Sequence, residues 1–238
     1  MARNRRLLRR AGVTILPGRV RPCIAERAAC PCGCGARFPA MVAEPERGLR
    51  EDTLAVAPVR KLPGREHAAA YLISGVPGAG KSTMARLLAL HFDRSAHIDM
   101  IYHHFTVAGL EQPTAMTGDA DDQAHLAVVN AAGMARNYVA ARFVCVLEGA
   151  VAKRSHVLAC QQAIAPQPLH LVVLAPAAEV ADRRDAQRSG KHVAGYFRHL
   201  RPMLGRQLAG LGLWIDNSCQ LPLDTARVIL AHRAQARL

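Results

Sequence analysis

The sequence predicts an α/β fold: a parallel sheet of about five strands with helices on both faces, behind a loosely structured basic N-terminal arm. Three observations predict it. From about residue 68 onward, short and almost wholly apolar runs alternate with segments whose apolar residues recur at helical spacing. Strands that are apolar on both sides belong to a parallel sheet covered on both faces. Residues 1–66, in contrast, hold seven prolines and many Gly and Arg with little periodicity, a composition that opposes a packed core. The expected division is therefore an arm over 1–66 and one α/β domain over 67–238.

The elements follow in order. AAAYLIS (68–74) is the first strand; a Gly-rich loop leads from it into KSTMARLLALHF (81–92), a helix. AHID (96–99) is a brief strand, followed by a polar, loop-like stretch and a helix over 121–141 with Asp121 or Asp122 near its start. FVCVLEG (143–149) is the next strand, and 153–164 is helical. PLHLVVLAP (168–176) is rich in Leu and Val and reads as a buried strand. AAEVADRRDAQRSG (177–190) is a charged helix stopped by Gly190, and 193–209 is a further helix. LGLWID (211–216) is the last strand, and PLDTARVILAHRA (222–234) is a closing helix with Pro in its first turn.

Composition narrows the function. Half of the 238 residues are apolar, which opposes wholesale disorder, and no apolar run approaches the roughly 20 residues that span a bilayer. The formal net charge is +13; residues 1–66 carry 14 Lys/Arg against 6 Asp/Glu, so the excess is concentrated at the front. An anionic partner fits such a surface. Seven cysteines, an odd number, without a hydrophobic secretory segment at the N-terminus, point to a reducing compartment, and the expected location is cytoplasmic.

The first strand runs into Gly75-Val76-Pro77-Gly78-Ala79-Gly80-Lys81-Ser82, a complete G-x-x-x-x-G-K-[ST] in the strand-loop-helix context that gives the pattern its meaning. Glycines let the backbone turn tightly and bring its N–H groups to a phosphate, next to the N-terminus of the following helix. Lys81 can reach the β/γ-phosphates, and the Ser82 hydroxyl suits Mg²⁺, a hard ion that prefers oxygen. Thr83 completes the expected nucleotide-binding set, Gly75 to Thr83.

Three further features bear on the chemistry of a bound nucleotide. Asp99 ends the second strand, at the side of such sheets where ligands bind, and can accept a proton from an acceptor hydroxyl; capping of the next segment is the competing role. Glu148 ends FVCVL, where a carboxylate reaches Mg²⁺ directly or through water; a solvent-facing charge is the alternative. Arg183, Arg184, Arg188 and Lys191 come after the third long strand, with Arg184 and Arg188 four apart on one helix face. They either close over the triphosphate or pair with Asp182 and Asp185 in solvent.

Gly75 to Ser82, Asp99, Glu148 and the R-D-A-Q-R run from Arg184 to Arg188 together resemble the small P-loop kinases of the chloramphenicol phosphotransferase-like group. PLHLVVLAPAAEVADRRDAQRSG and LGLWIDNSCQLPLDTARVIL are similar to the C-terminal half of ATP-binding proteins of that group, and the resemblance covers roughly 69–232. It implies a P-loop sheet of the nucleoside/adenylate-kinase kind, ATP and Mg²⁺, and γ-phosphoryl transfer to a hydroxyl. It also implies Asp99 as base and Arg184 and Arg188 as lid cations. Two departures stand out: His103 and His104 come after Asp99 where substrate contacts are expected, and Glu148 replaces the usual Asp. The group includes antibiotic, sugar and polynucleotide kinases, so the acceptor does not transfer with the fold.

Weaker signals remain. Cys23, Cys30, Cys32 and Cys34 are spaced poorly for a tetrahedral zinc site, which prefers C-x2–4-C pairs. The arm's arginines suit polyanions, but Phe38 is its only ring. His97 reads as packing, His125, His156, His170 and His199 lack ligand spacing, and Trp214 reads as core. The sequence thus points to an ATP- and Mg²⁺-dependent kinase acting on a hydroxyl of a small molecule. The alternatives are a 5′-hydroxyl polynucleotide kinase and a non-enzymatic nucleotide-binding switch. An apolar cavity beside Asp99 would indicate an aromatic or drug-like alcohol, and a basic groove a nucleic-acid end.

Overall fold

The structure, a computed structural model, describes residues 68–100, 106, 108–111, 117–188, 193, 195 and 197–238, with the backbone of 13–16 and 19–22. Five parallel strands form its centre: β3 (Ala70–Gly75), β4 (Ser95–Asp99), β5 (Val144–Glu148), β6 (Leu169–Leu174) and β7 (Leu213–Ile215). Their order is β7-β6-β3-β5-β4. Every position of β3, β5, β6 and β7 is buried. Since successive side chains of a strand point to opposite faces, both faces are covered, and this is why the runs are predominantly apolar and rich in Leu and Val.

Two strands add to the expected five. β1 (Val13–Leu16) and β2 (Arg19–Pro22) form an antiparallel hairpin within residues 1–66, and β2 lies parallel to β7 through Val20 and Ile215.

The helices occupy the expected places with shifted ends. α1 (Lys81–Leu90) buries Met84, Ala85, Leu88 and Ala89 against the sheet. α2 (Gly118–Ala140) starts three residues before the expected 121, and its cap is Thr117, whose hydroxyl accepts a hydrogen bond from the Ala120 amide at 3.2 Å. α3 (Arg154–Ile164) packs against α2. α4 (Ala178–Ala186) ends before Arg188, so Arg184 and Arg188 do not share a helix face. The helix predicted over 193–209 is α5 (Leu200–Gln207), beginning where Pro202 fits a first turn. α6 (Pro222–Ala231) opens with Pro, as expected, and α7 (Arg233–Ala236) comes next.

The core runs along the strands and onto α1 through Leu72, Ile73, Leu147, Leu171, Leu174 and Leu88, all essentially inaccessible to solvent. Trp214 is core, as predicted, its indole N–H donating to the Leu211 carbonyl at 3.0 Å. His170 is also interior, stacked on Tyr71 with ring centres 4.8 Å apart. No described helix is long and apolar enough to cross a membrane.

Candidate phosphate-transfer site

The C-terminal ends of β3, β4 and β5 assemble the site. Register places Asp99 opposite Glu148 across the β4–β5 pair, and Glu148 opposite Ile73 across β5–β3. Two carboxylates thus stand side by side where β3 releases the chain into its Gly-rich loop. In the sequence that arrangement is readable only as three separate strand ends.

The loop has little freedom to be anything else. Gly78 adopts φ 75°, and a Cβ there would come within 2.0 Å of the Ala181 carbonyl oxygen of α4. Gly80 heads α1 at φ 92°, again a left-handed conformation that suits glycine. The Ala79 amide closes a turn on the Val76 carbonyl at 3.1 Å, and the Met84 amide bonds Gly80 at 2.9 Å to start the helix. Asn217, just after β7, braces the loop from the other side by donating its Nδ2 to the Ala79 carbonyl at 3.0 Å.

Lys81 folds back over this loop, Nζ donating to the Val76 carbonyl at 3.0 Å. Burial pushes its pKa down to about 8; Glu148 opposes that shift, Arg188 adds to it, and Asp99 and Asp185 oppose it more weakly. Lys81 therefore lies within electrostatic reach of Glu148, Arg188, Asp99 and Asp185.

Glu148 is 3% exposed, which removes the solvent-facing alternative. Its Oε2 accepts from Ser82 Oγ at 2.8 Å, and its Oε1 lies 3.1 Å from His97 Nε2. A carboxylate offers only acceptors, so this contact requires the His97 proton on Nε2. A buried carboxylate cannot remain without such partners at low cost. His97, predicted to be a packing residue, is thus part of the site's polar frame.

The pair Ser82 and Glu148 fits a magnesium ion in chemistry: a hydroxyl and a carboxylate oxygen, adjacent, at the head of α1 beside the phosphate loop. Asp99 is exposed and lines a cavity of about 620 Å³ together with Met100, Gln123, Leu126, Asn130 and Met134, among others.

The two arginines are placed differently. Arg184 is half-buried and turned toward the β7 end, Nη2 donating to the carbonyls of Asn217 at 3.0 Å and Ser218 at 3.4 Å. Asn217 links it to the phosphate loop. Arg188 is exposed, 3.5 Å from Asp185 Oδ1, while Asp185 Oδ2 accepts from the Val193 amide at 2.8 Å. Cys23, Cys30, Cys32, Cys34, His103, His104 and Lys191 lie outside the described residues.

Sequence reasoning missed Asn217 and Ser218, the latter accepting from the Ala177 amide through Oγ at 2.7 Å. Their one available signal is position: polar residues just beyond a strand's C-terminal end, on the ligand side of an α/β sheet.

A sugar kinase from Janibacter sp. HTCC2649 superimposes with a TM-score of 0.54 at 17% identity, covering 71% of this chain and 95% of its own. The fold is that of a small P-loop kinase. A gluconokinase from Sinorhizobium meliloti 1021 matches with a TM-score of 0.51 at 18% identity, over 70% of this chain and 92% of its own. No family model and no curated protein matches the chain.

Proposed function

We propose that this P-loop kinase transfers the γ-phosphoryl group of Mg-ATP to a hydroxyl of a small molecule, in the manner of the chloramphenicol phosphotransferase-like group. The observation that carries the reading is the pairing of Asp99 with Glu148 at the mouth of the phosphate loop, with Asp99 open to a cavity and Glu148 tied to Ser82. The loop amides and Lys81 hold the phosphates. Ser82 and Glu148 would hold Mg²⁺, which supplies charge neutralisation for the phosphates when bound. Asp99 accepts the proton of the acceptor hydroxyl as its oxygen bonds to the γ-phosphorus, and the bond to the β-phosphate oxygen breaks to leave ADP. Arg188, beyond α4, supplies positive charge near Lys81. Arg184 supports the site by fixing the Asn217 loop. The catalytic unit is 67–238, working in the cytoplasm with residues 1–66 as an appended basic segment.

Transfer of label from γ-labelled ATP to a panel of alcohols tests this. Asp99→Asn should lower kcat by about 10²–10⁴ while nucleotide still binds, the usual range for loss of a general base. Full transfer by Asp99→Asn, with Lys81→Ala inactive, would remove Asp99 from the role of base.

A further inference from the structure

Building on the kinase reading, we propose that the acceptor is an uncharged, largely apolar alcohol, and that the site rejects carboxylated or phosphorylated acceptors, polynucleotide ends included. The cavity beside Asp99 has the volume of a drug-sized ligand, about 620 Å³. Its walls are mainly apolar: Met100 just after β4, and Leu126, Ala127, Ala131 and Met134 along α2. Leu126 is 58% exposed and Met134 44%, so these side chains stand at an open mouth rather than in the core.

The polar side chains are few. Gln123 donates Nε2 to the Gly109 carbonyl at 2.8 Å and accepts from the Glu111 amide at 3.0 Å. It thereby holds 109–111 at the rim of the cavity. Thr106, Asn130 and Asp99 are the other polar side chains that line it.

Charge makes the stronger argument. The chain carries 31 Lys and Arg among 238 residues, yet residues 95–135 contain none. That stretch holds Asp99, the whole connection from β4 to α2, and the face of α2 that lines the cavity. It carries five carboxylates, Asp99, Glu111, Asp119, Asp121 and Asp122, and histidines as its only side-chain bases. Asp121 is offset by Lys153 of the segment before α3 at 2.7 Å. No Lys or Arg is among the described cavity residues. An anionic acceptor would lie against an apolar wall, meet Asp99 and find no guanidinium or ammonium among the described lining residues to pair with. Lys81 lies on the phosphate loop with Arg188 near enough to act on its charge, and the kinase reading assigns both to the nucleotide. A neutral alcohol meets none of these penalties and leaves its apolar body against Leu126 and Met134.

The test uses the full chain with Mg-ATP and paired acceptors: neutral aryl and alkyl alcohols such as 4-isopropylbenzyl alcohol, each with its carboxylated counterpart such as 4-(hydroxymethyl)benzoate, plus gluconate and a 5′-hydroxyl oligonucleotide. Label transfer and binding by saturation-transfer NMR are read separately. The neutral member of the best pair should exceed its carboxylate in kcat/KM by about 100-fold or more. Asn130→Lys, which puts an ammonium at an exposed position of the cavity, should narrow that ratio at least tenfold. Equal or better transfer to the carboxylates, gluconate or the oligonucleotide overturns the acceptor class and leaves the kinase reading in place. Binding of neutral alcohols alone, with no transfer to any of them, upholds the selectivity and defeats the kinase reading. Failure of both members of every pair to bind overturns the proposal.

Discussion

Protonation of Lys81 offers a direct physical probe of the phosphate loop. Its pKa lies at about 8 because burial disfavours the ammonium more than Glu148, Asp99 and Asp185 favour it, with Arg188 adding repulsion. A bound triphosphate brings several negative charges to the same ammonium and restores its ordinary high pKa. Binding must then take up the proton that Lys81 lacks beforehand. With a free-protein value of about 8, the uptake is about 0.1 proton at pH 7, about 0.5 at pH 8 and about 0.9 at pH 9. Above pH 8 nucleotide affinity should fall close to tenfold per pH unit, about 1.4 kcal/mol each. Calorimetry of ATP-analogue binding in two buffers of different ionisation enthalpy measures the uptake, and Lys81→Met should abolish it. The described histidines with resolved shifts, His91, His156 and His170, all move down from 6.5 and do not mimic this window. Uptake near zero at both pH 8 and pH 9 would refute the placement of Lys81 in a desolvated loop that phosphates recharge.

Two substitutions probe the frame around that lysine. Gly78→Ala should reduce stability by at least about 1–3 kcal/mol, the cost of a side chain at positive φ before any clash with the Ala181 carbonyl, and should abolish nucleotide binding; thermal melting and calorimetry check both. Glu148→Gln keeps an oxygen for Ser82 and turns its amide NH2 to His97, which accepts through Nε2 once its proton moves to Nδ1, but it removes the charge, so the Mg²⁺ concentration for half-maximal transfer should rise at least about tenfold with the melting temperature little changed; an unchanged metal requirement would exclude Glu148 as a ligand.

The central strands are legible in the sequence because burial on both faces leaves few polar residues: AYLISG, VCVLE and LHLVVL carry one each, Ser74, Glu148 and His170. The phosphate loop is legible because its chemistry requires fixed residue types at fixed spacing. Other parts depend on contacts that a linear pattern does not carry. His97 and Asp99 are two apart on β4 and so share a face, yet only the pairing of β4 with β5 brings His97 to Glu148. Arg184 reads as available to phosphate until the Asn217 loop, 33 residues later, supplies its carbonyl partners. The hairpin in residues 13–22 is hidden by proline and arginine, although Pro17-Gly18 between Val13–Leu16 and Arg19–Pro22 is a turn signal. Helical spacing over 193–209 hides the later start of α5, although Pro202, tolerated in a first turn, marks it.

β4 is the outermost described strand on its side of the sheet, whereas β3 lies at the centre between β5 and β6. The Gly-rich loop is thereby embedded in the most constrained part of the molecule, and Asp99, the proposed proton acceptor, sits on its margin. Chain inserted or exchanged between Asp99 and Thr117 would reshape what enters beside the carboxylate without disturbing a single inter-strand bond at the centre. A scaffold laid out this way can change its clientele by editing one peripheral connection.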